Sequence, residues 1–170
     1  NELKSLQYIR DGVGASAFLQ LARVQVMLGR DAAAKAMSQK KPADLAKITY
    51  FKEAIKTINT ADAFLEELEG TMSKADRSKS PLAEALYHKG QAIQLQGFAT
   101  TLGGNKNLGR RQTLAAAKYY ETLIEEYPDS PFRSKAMEAH AECAKFAEQM
   151  FDEKIELTAG GDTATIDLKL

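Results

Sequence analysis

The chain has 170 residues, 44% of them hydrophobic, and its 23 basic residues balance its 23 acidic residues. This length suits one domain with a core that needs no disulfide or metal, and the balanced charge gives no overall basic bias towards nucleic acid. No stretch reaches the roughly 18 uninterrupted apolar residues of a membrane span. Membrane anchoring is left undetermined, because a chain beginning at Asn1 is a processed form or an excerpt.

The first helical region is predicted over residues 3 to 29, where apolar side chains recur every three or four positions. Gly12 and Gly14 lie inside this region, and each costs about 1 kcal/mol relative to alanine in a helix. A kink or a restart is therefore expected there. Gly29 is a plausible helix end, and Asp31 can cap a short second helix.

The longest amphipathic helix is predicted to start near Asp44, after Pro42, and to end near Gly70. Its apolar stripe consists of Leu45, Ile48, Phe51, Ile55, Ile58, Ala61, Leu65 and Leu68. Residues 71 to 80 are polar and form the clearest linker of the chain. Pro81 then opens the next helix, at a position where its missing N–H does no harm.

The helix that follows Pro81 is expected to bury a stripe of large apolar residues, namely Leu82, Leu86, Ile93 and Phe98. Gly90 in its middle makes sense if another helix packs closely there. Residues 103 to 112 are predicted to form a glycine-rich basic loop. It is either a solvated flexible loop or a contact for an anion or an acidic partner, which would be made by Lys106, Arg110 and Arg111.

The stretch from Ala116 to Pro131 reads AAKYYETLIEEYPDSP. It predicts an amphipathic helix that stops sharply before Pro128, with Tyr120 packed inward and Tyr119 freer to meet a partner, because adjacent helical positions are about 100° apart. A last helix is predicted after Pro131. Its apolar side comprises Ala136, Met137, His140, Cys143, Ala144, Ala147, Met150 and Phe151.

Residues 154 to 170 change character, since apolar and polar residues alternate on both sides of Gly160 and Gly161. A period of two around a glycine turn predicts a β-hairpin. A lone hairpin is marginal in water, so this segment should lean on the helices or pair with another chain. An extended tail is the alternative.

Two units of the chain are similar to each other and resemble the tetratricopeptide repeat. In this comparison the first helix of the repeat has Leu86 as its large residue and Gly90 as its small residue. The second helix has Ala116 as its small residue and Tyr120 as its aromatic residue, and it stops at Pro128. The resemblance covers residues 80 to 151, with a weaker unit at residues 15 to 38 and the helix at 43 to 70 outside it. It requires about 14 residues, Thr100 to Thr113, to be inserted between the two helices. The alternative is a generic antiparallel bundle whose helices end at prolines.

The phrase YYETLIEEYPDSPF is similar to the repeat variant of bacterial cell-envelope scaffolds, such as outer-membrane-assembly lipoproteins and the Tol–Pal coordinator family. The resemblance implies an all-α fold of about six helices over residues 1 to 153. Antiparallel helical hairpins would stack there as a short array, before the hairpin or tail. It also favours the periplasm or the outer-membrane periphery, with the cytoplasm as the alternative.

The repeat register implies a concave groove that suits an extended peptide. Its residues on the helix after Pro81 are Glu84, Tyr87, Gln91, Gln94 and Leu95. Its residues on the last helix are Lys135, Glu138, Glu142, Lys145 and Phe146. Ordinary helix surface is the alternative interpretation of both sets.

Metal and nucleophile chemistry has one candidate pair, His140 and Cys143, three residues apart on the last helix. Zinc needs three or four ligands, and the only other histidine is His88. A nucleophilic cysteine needs a base and an orienting group, and the sequence shows no such third group. We therefore expect both residues to pack in the core.

The loop from Gly104 to Arg111 resembles a phosphate-binding loop only superficially, because it lacks the required lysine and hydroxyl residue and follows a helix rather than a strand. The sequence thus predicts no catalytic, metal or cofactor site. The expected function is a non-enzymatic scaffold that holds a protein partner in a multiprotein assembly, through a peptide or a sheet edge. The alternatives are a self-assembling structural subunit and a small helical-bundle metal-binding protein.

Overall fold

The structure is a computed structural model that describes the backbone of residues 2–73, 77–150, 155–159 and 162–166, and the side chains of residues 13–73 and 78–149. These ranges contain five α-helices: α1 (Glu2–Ser38), α2 (Tyr50–Thr71), α3 (Pro81–Leu102), α4 (Lys106–Glu126) and α5 (Arg133–Met150). Short 3-10 helices occupy Pro42–Lys47 and Arg77–Lys79. The all-α class is confirmed, with one α-helix fewer than predicted.

Two extended backbone segments follow α5, β1 (Ile155–Ala159) and β2 (Asp162–Ile166), which pair antiparallel with Ile155 opposite Ile166. The glycine turn that the sequence predicts between them falls on residues 160 and 161, which lie outside the described residues. The C-terminal hairpin therefore stays a prediction.

The predicted breaks in the first helical region are wrong, because α1 is continuous from Glu2 to Ser38. Gly14 lies within the helix without a neighbour that a side chain would meet, and Gly29 is a packing residue rather than a helix end. A Cβ atom at Gly29 would lie 2.5 to 2.8 Å from ring carbons of Phe51. The buried face of α1 therefore holds the helix together across both glycines. Asp31 lies within the helix and is not an N-cap.

The predicted start of the long amphipathic helix at Asp44 is also wrong. Residues Pro42–Lys47 form a 3-10 helix that buries Leu45, and α2 begins only at Tyr50. From there α2 buries Phe51, Ile58, Ala61, Leu65 and Leu68 as predicted, while the predicted Ile55 is half-buried and its neighbour Ala54 is buried. Pro81 begins α3 as predicted, with the Ser80 hydroxyl accepting a hydrogen bond from the Leu82 amide.

The helix α3 lies at the centre of the fold, and each of its residues from Pro81 to Thr101 is buried or half-buried. The residues buried most deeply are small, such as Ala85, Ala92 and Gly97. The predicted stripe of large residues is only half-buried: Leu82, Leu86, Ile93 and Phe98. A helix that packs against neighbours around most of its circumference has no single apolar stripe, and this is why the prediction failed.

The predicted basic loop at 103–112 is wrong beyond Asn105. Gly104 adopts a φ of 105° and reverses the chain, and the Asn105 side chain caps α4 by accepting a hydrogen bond from the Leu108 amide at 3.1 Å. Lys106, the first residue of α4, therefore begins a helix rather than a loop. The supposed insertion between the repeat helices consists mainly of extra turns of α3 and α4.

The crossing of α3 and α4 is tight because glycines face each other there. A Cβ atom on Gly97 would lie 2.9 Å from the Gly109 carbonyl oxygen, and one on Gly109 would lie 2.6 Å from the Gly97 carbonyl oxygen. Gly90, where a close helix backbone was expected, instead accommodates the ring of Tyr120, whose Cε1 would lie 2.7 Å from an added Cβ.

The described residues form three hydrophobic clusters, a small one around Leu45 and Phe51 and two larger ones that both include residues of α3. One of the larger two combines α1, α2 and the small residues Ala85 and Ala92, and the other combines α4 and α5 around Tyr120. The prediction that α4 ends before Pro128 is confirmed. Within the last helix, Cys143 and Ala147 are buried as predicted, but Met137 is 45% exposed.

Candidate partner-binding groove

A surface groove of about 190 Å³ lies beside α3, between one residue of α1 and a row of residues on α5. We call it the central groove. Its lining residues are Arg30 of α1, Tyr87, Gln91, Gln94, Leu95 and Phe98 of α3, Tyr120 of α4, and Lys135, Glu138, Ala139 and Glu142 of α5. Because α3 is covered elsewhere by α1, α2 and α4, this is a place where side chains of the central helix reach the surface.

Most of the residues predicted from the repeat register meet in the central groove. They are Tyr87, Gln91, Gln94, Leu95, Lys135, Glu138 and Glu142. Three predicted residues do not line it. Glu84 lies one turn before His88, Lys145 is exposed on α5, and Phe146 packs on Phe98 with ring centroids 4.0 Å apart.

The floor of the groove carries a chain of hydrogen bonds that links α4 to α5 through α3. The Tyr120 hydroxyl donates to Oε1 of Gln94 at 2.7 Å, and Nε2 of Gln94 donates to Oε2 of Glu142 at 3.1 Å. Burial raises the pKa of Tyr120 far above its usual range, so its hydroxyl stays a donor. The amide of Gln94 is therefore held in one orientation at the base of the groove.

The walls of the groove carry charges of both signs. Arg30 stands on the α1 side, while Glu138 and Glu142 stand with Lys135 on the α5 side. Burial raises the pKa of the Tyr87 hydroxyl on the floor, and the Arg30 guanidinium partly opposes that shift. The groove can thus pair with an acidic group along one wall and with a basic group along the other.

Aromatic rings, held in place by contacts with other rings, lie at the two ends of the groove floor. Tyr87 packs against Phe132 with ring centroids 5.4 Å apart and against Tyr120 at 6.1 Å. At the other end Phe98 stacks on Phe146. Rings fixed by such contacts offer apolar surface without ordering a flexible side chain on binding.

Sequence reasoning missed Arg30, Phe98, Tyr120 and Ala139 as groove residues. Arg30 was missed because the predicted break at Gly29 removed α1 from the groove. Phe98 follows Leu95 by one helical turn, and Ala139 follows Lys135 by one turn, so helical spacing could have indicated both. Tyr120 was correctly predicted to pack inward, and it is fully buried.

The basic residues predicted in the loop after Leu102 lie on α4 instead. Lys106 and Arg111 are exposed, and Arg110 is half-buried. Positions 106 and 110 share one helix face, while position 111 is turned by about 100°. An anion contact there would have to be made by a rigid helix surface, not by a flexible loop.

His140 and Cys143 pack in the core as predicted. The Nε2 atom of His140 lies 3.1 Å from Oε1 of Glu121, and Cys143 is fully buried. Burial raises the pKa of the Cys143 thiol to about 12. The thiol is therefore protonated and enclosed at neutral pH, which suits packing rather than nucleophilic attack.

The buried thiol leads to a prediction about alkaline pH. The pKa of the thiol is about 12 in the folded chain and about 9 in the unfolded chain. Above pH 9 the thiol ionises more readily in the unfolded chain, so the free energy of unfolding falls as the pH rises from 9 towards 12. Between pH 8 and pH 11 the wild type should lose on the order of 2 kcal/mol more unfolding free energy than the variant Cys143→Ala. Urea denaturation at the two pH values measures this difference, and equal losses would contradict it.

Among the residues that the structure describes, no three histidine, cysteine or acidic side chains gather in a way that could hold a metal ion. Within the same ranges, no helix combines the length and the apolar character that crossing a membrane requires.

Comparison of the chain with protein-family models, with curated proteins and with solved structures finds no match.

Proposed function

We propose that this chain is a non-enzymatic scaffold that captures a short extended peptide segment of a partner protein in the central groove. The observation that carries the proposal is the convergence of α1, α3 and α5 on one groove with an ordered polar floor and charged walls. A groove lined by a few placed polar groups on fixed aromatic surface is typical of peptide recognition.

The packing of the helices supports a tetratricopeptide-like array as the basis of this function. α1 pairs with α2 and α3 pairs with α4, α3 also packs on both helices of the first pair, and α5 packs on α4 and α3. In such an array the first helices of successive units line the concave side, and here these would be α1, α3 and α5. The first unit would then be α1 with α2, rather than residues 15 to 38.

The dimensions and charges of the groove define the segment it would hold. Tyr87 and Phe98 are 11 positions apart on α3, which corresponds to about 17 Å of helix and hence to about five residues of extended peptide. Such a segment would place an acidic side chain near Arg30 and a basic one near Glu138 and Glu142. The half-buried Gln91 amide on the floor is the group placed to hydrogen-bond its backbone.

Other parts of the proposal depend on the resemblance noted in the sequence. The similarity of YYETLIEEYPDSPF to envelope scaffolds supports a multiprotein assembly of the bacterial cell envelope as the setting. Strand addition at residues 163 to 170 would be a second mode of contact. It requires the predicted hairpin and is tested separately by deleting residues 155 to 170.

A library of displayed random peptides tests the groove directly, because it needs no known partner. Selected peptides should bind the wild type and lose at least about tenfold in affinity for Gln91→Trp, which fills the groove, and for Arg30→Glu, which reverses one wall. Lys35→Glu is the matched control, since Lys35 lies on α1 outside the groove and its replacement makes the same charge change.

Two results would overturn the groove proposal. One is a selection that enriches no peptide for the folded wild type. The other is a set of peptides that bind Gln91→Trp and Arg30→Glu as tightly as they bind the wild type and the control Lys35→Glu. Circular dichroism of each variant establishes that the helices are intact.

A further inference from the structure

The outer face of α1 carries a row of exposed apolar side chains on the side of the helix away from the core. Ala17, Leu21, Val24 and Leu28 are all exposed and follow one another at intervals of four, three and four residues. Val13 and Met27 flank the row, and the five larger residues of this set are between 43% and 66% exposed. We call these six residues the α1 seam.

The spacing of the α1 seam is the seven-residue repeat of a helix that pairs with another helix. Residues at alternating intervals of three and four lie along one face of a helix, and a second helix can pack along such a row. The core face of α1 is separate, because Leu19, Ala22 and Val26 are buried against α2 and α3. The helix therefore has two apolar faces, of which the fold covers one.

We propose that the α1 seam is a self-association surface on which α1 of a second copy of this chain packs antiparallel. In that arrangement the two-fold axis lies between Leu21 and Val24, so that each Leu21 meets the partner copy's Val24, and each Leu28 meets the partner copy's Ala17. Each of these contacts then occurs twice, as in any two-fold interface, and a larger residue meets a smaller one in both layers.

Area and charge agree with a second copy as the occupant. The exposed fractions of the six seam residues correspond to roughly 500 Å² of accessible surface, the size of the largest apolar patch on a typical monomer, which is often functional. Two such faces would bury roughly 1,000 Å², before flanking residues are counted, which lies near the lower limit for a specific interface. No charged residue interrupts the seam, and a chain of formal net charge zero has no overall repulsion from its copy. An interface at the lower size limit is expected to form a reversible dimer.

Sedimentation equilibrium of the full chain over a range of micromolar concentrations tests the pairing. The wild type should be in a monomer–dimer equilibrium, and the double variant Leu21→Glu with Leu28→Glu should raise the dissociation constant by about 100-fold or more. The matched control adds two glutamates to an exposed part of α2, at Asn59 and Thr60, and should dimerise like the wild type. A wild type that stays monomeric, or a dimer that both double variants preserve, would overturn the proposal.

Cysteine cross-linking tests the register and does not depend on how a glutamate variant folds. A mixture of the variants Leu21→Cys and Val24→Cys should form the mixed disulfide dimer faster than either variant forms its own dimer, because the antiparallel register brings these two positions together. Faster formation of the two like pairs would indicate parallel helices and overturn the proposed arrangement. Cys143 is buried and should not interfere.

The peptide selection and the sedimentation experiment fail independently. The self-association proposal goes beyond the groove, since Arg30 lines the groove while the seam lies on a separate part of α1. Loss of dimerisation in the glutamate variant with peptide binding unchanged supports the seam alone. Gln91→Trp is expected to lose peptide binding and to keep the dimer dissociation constant of the wild type, because Gln91 lies on α3 and not on the seam.

Discussion

Replacing Tyr120 with alanine is expected to lower the free energy of unfolding by about 4 kcal/mol, because the ring is fully buried and its loss leaves a cavity between α3, α4 and α5. The ring contacts Gly90 on one side and Tyr87 on another, and the glycine cannot fill the space. The hydroxyl adds a second cost, since Oε1 of Gln94 would lose its donor. Urea denaturation monitored by circular dichroism measures the change.

Two further variants separate the contributions of the ring and the hydroxyl. Tyr120→Phe keeps the ring and should cost only about 1 to 2 kcal/mol, the usual effect of leaving a buried acceptor without its partner. Tyr119→Ala is the matched control on the adjacent position, where the side chain is half-buried, and should cost well under half as much as Tyr120→Ala. Equal losses at positions 119 and 120 would contradict the inward placement of Tyr120.

Replacing Gly109 with alanine is expected to lower the free energy of unfolding by about 2 kcal/mol, although alanine is the better helix former. The new Cβ would lie 2.6 Å from the Gly97 carbonyl oxygen and 2.8 Å from the Thr101 amide nitrogen. Both are backbone atoms, so α3 and α4 would have to move apart along the crossing. Overpacking typically costs about 1 to 3 kcal/mol, and a clash with two backbone atoms belongs at the upper end of that range. The gain in helix propensity returns about 1 kcal/mol.

The same substitution at Gly14 provides the control for Gly109. Gly14 lies inside α1, and an added Cβ would meet nothing within 4 Å. Gly14→Ala should therefore raise the free energy of unfolding by up to about 1 kcal/mol, since only helix propensity changes. Chemical denaturation of both variants gives the comparison. A neutral or stabilising Gly109→Ala would mean that the two backbones are farther apart than the structure shows.

Local patterns predicted the peripheral parts of the fold well. The apolar period over α2 identified its buried residues from Phe51 to Leu68, and Pro81 and Pro128 marked a helix start and a helix end. These features depend on neighbours in the sequence: a helix with one buried face must be amphipathic, and proline restricts the chain at its own position.

The features that failed depend on tertiary contacts. Gly29 looks like a helix end until Phe51 packs against it, and Gly109 looks like part of a loop until Gly97 is found opposite. In both cases glycine is required by the closeness of another element, which a single sequence does not display. The groove residues on α3 and α5 were found because the repeat register supplied tertiary information, and Arg30 was lost with the false break in α1.

The central position of α3 has a consequence for the free energy of binding. Arg30 and Glu138 stand on helices from opposite halves of the fold, and in the described part of the chain these halves meet mainly through α3. This helix contributes Ala85 and Ala92 to one core and packs Ile93 against the other, so the halves cannot separate without losing core contacts. The width of the groove is therefore set before a peptide arrives. A peptide that fits it would bind without a free-energy cost for reshaping the groove, which is the advantage of a preorganised site.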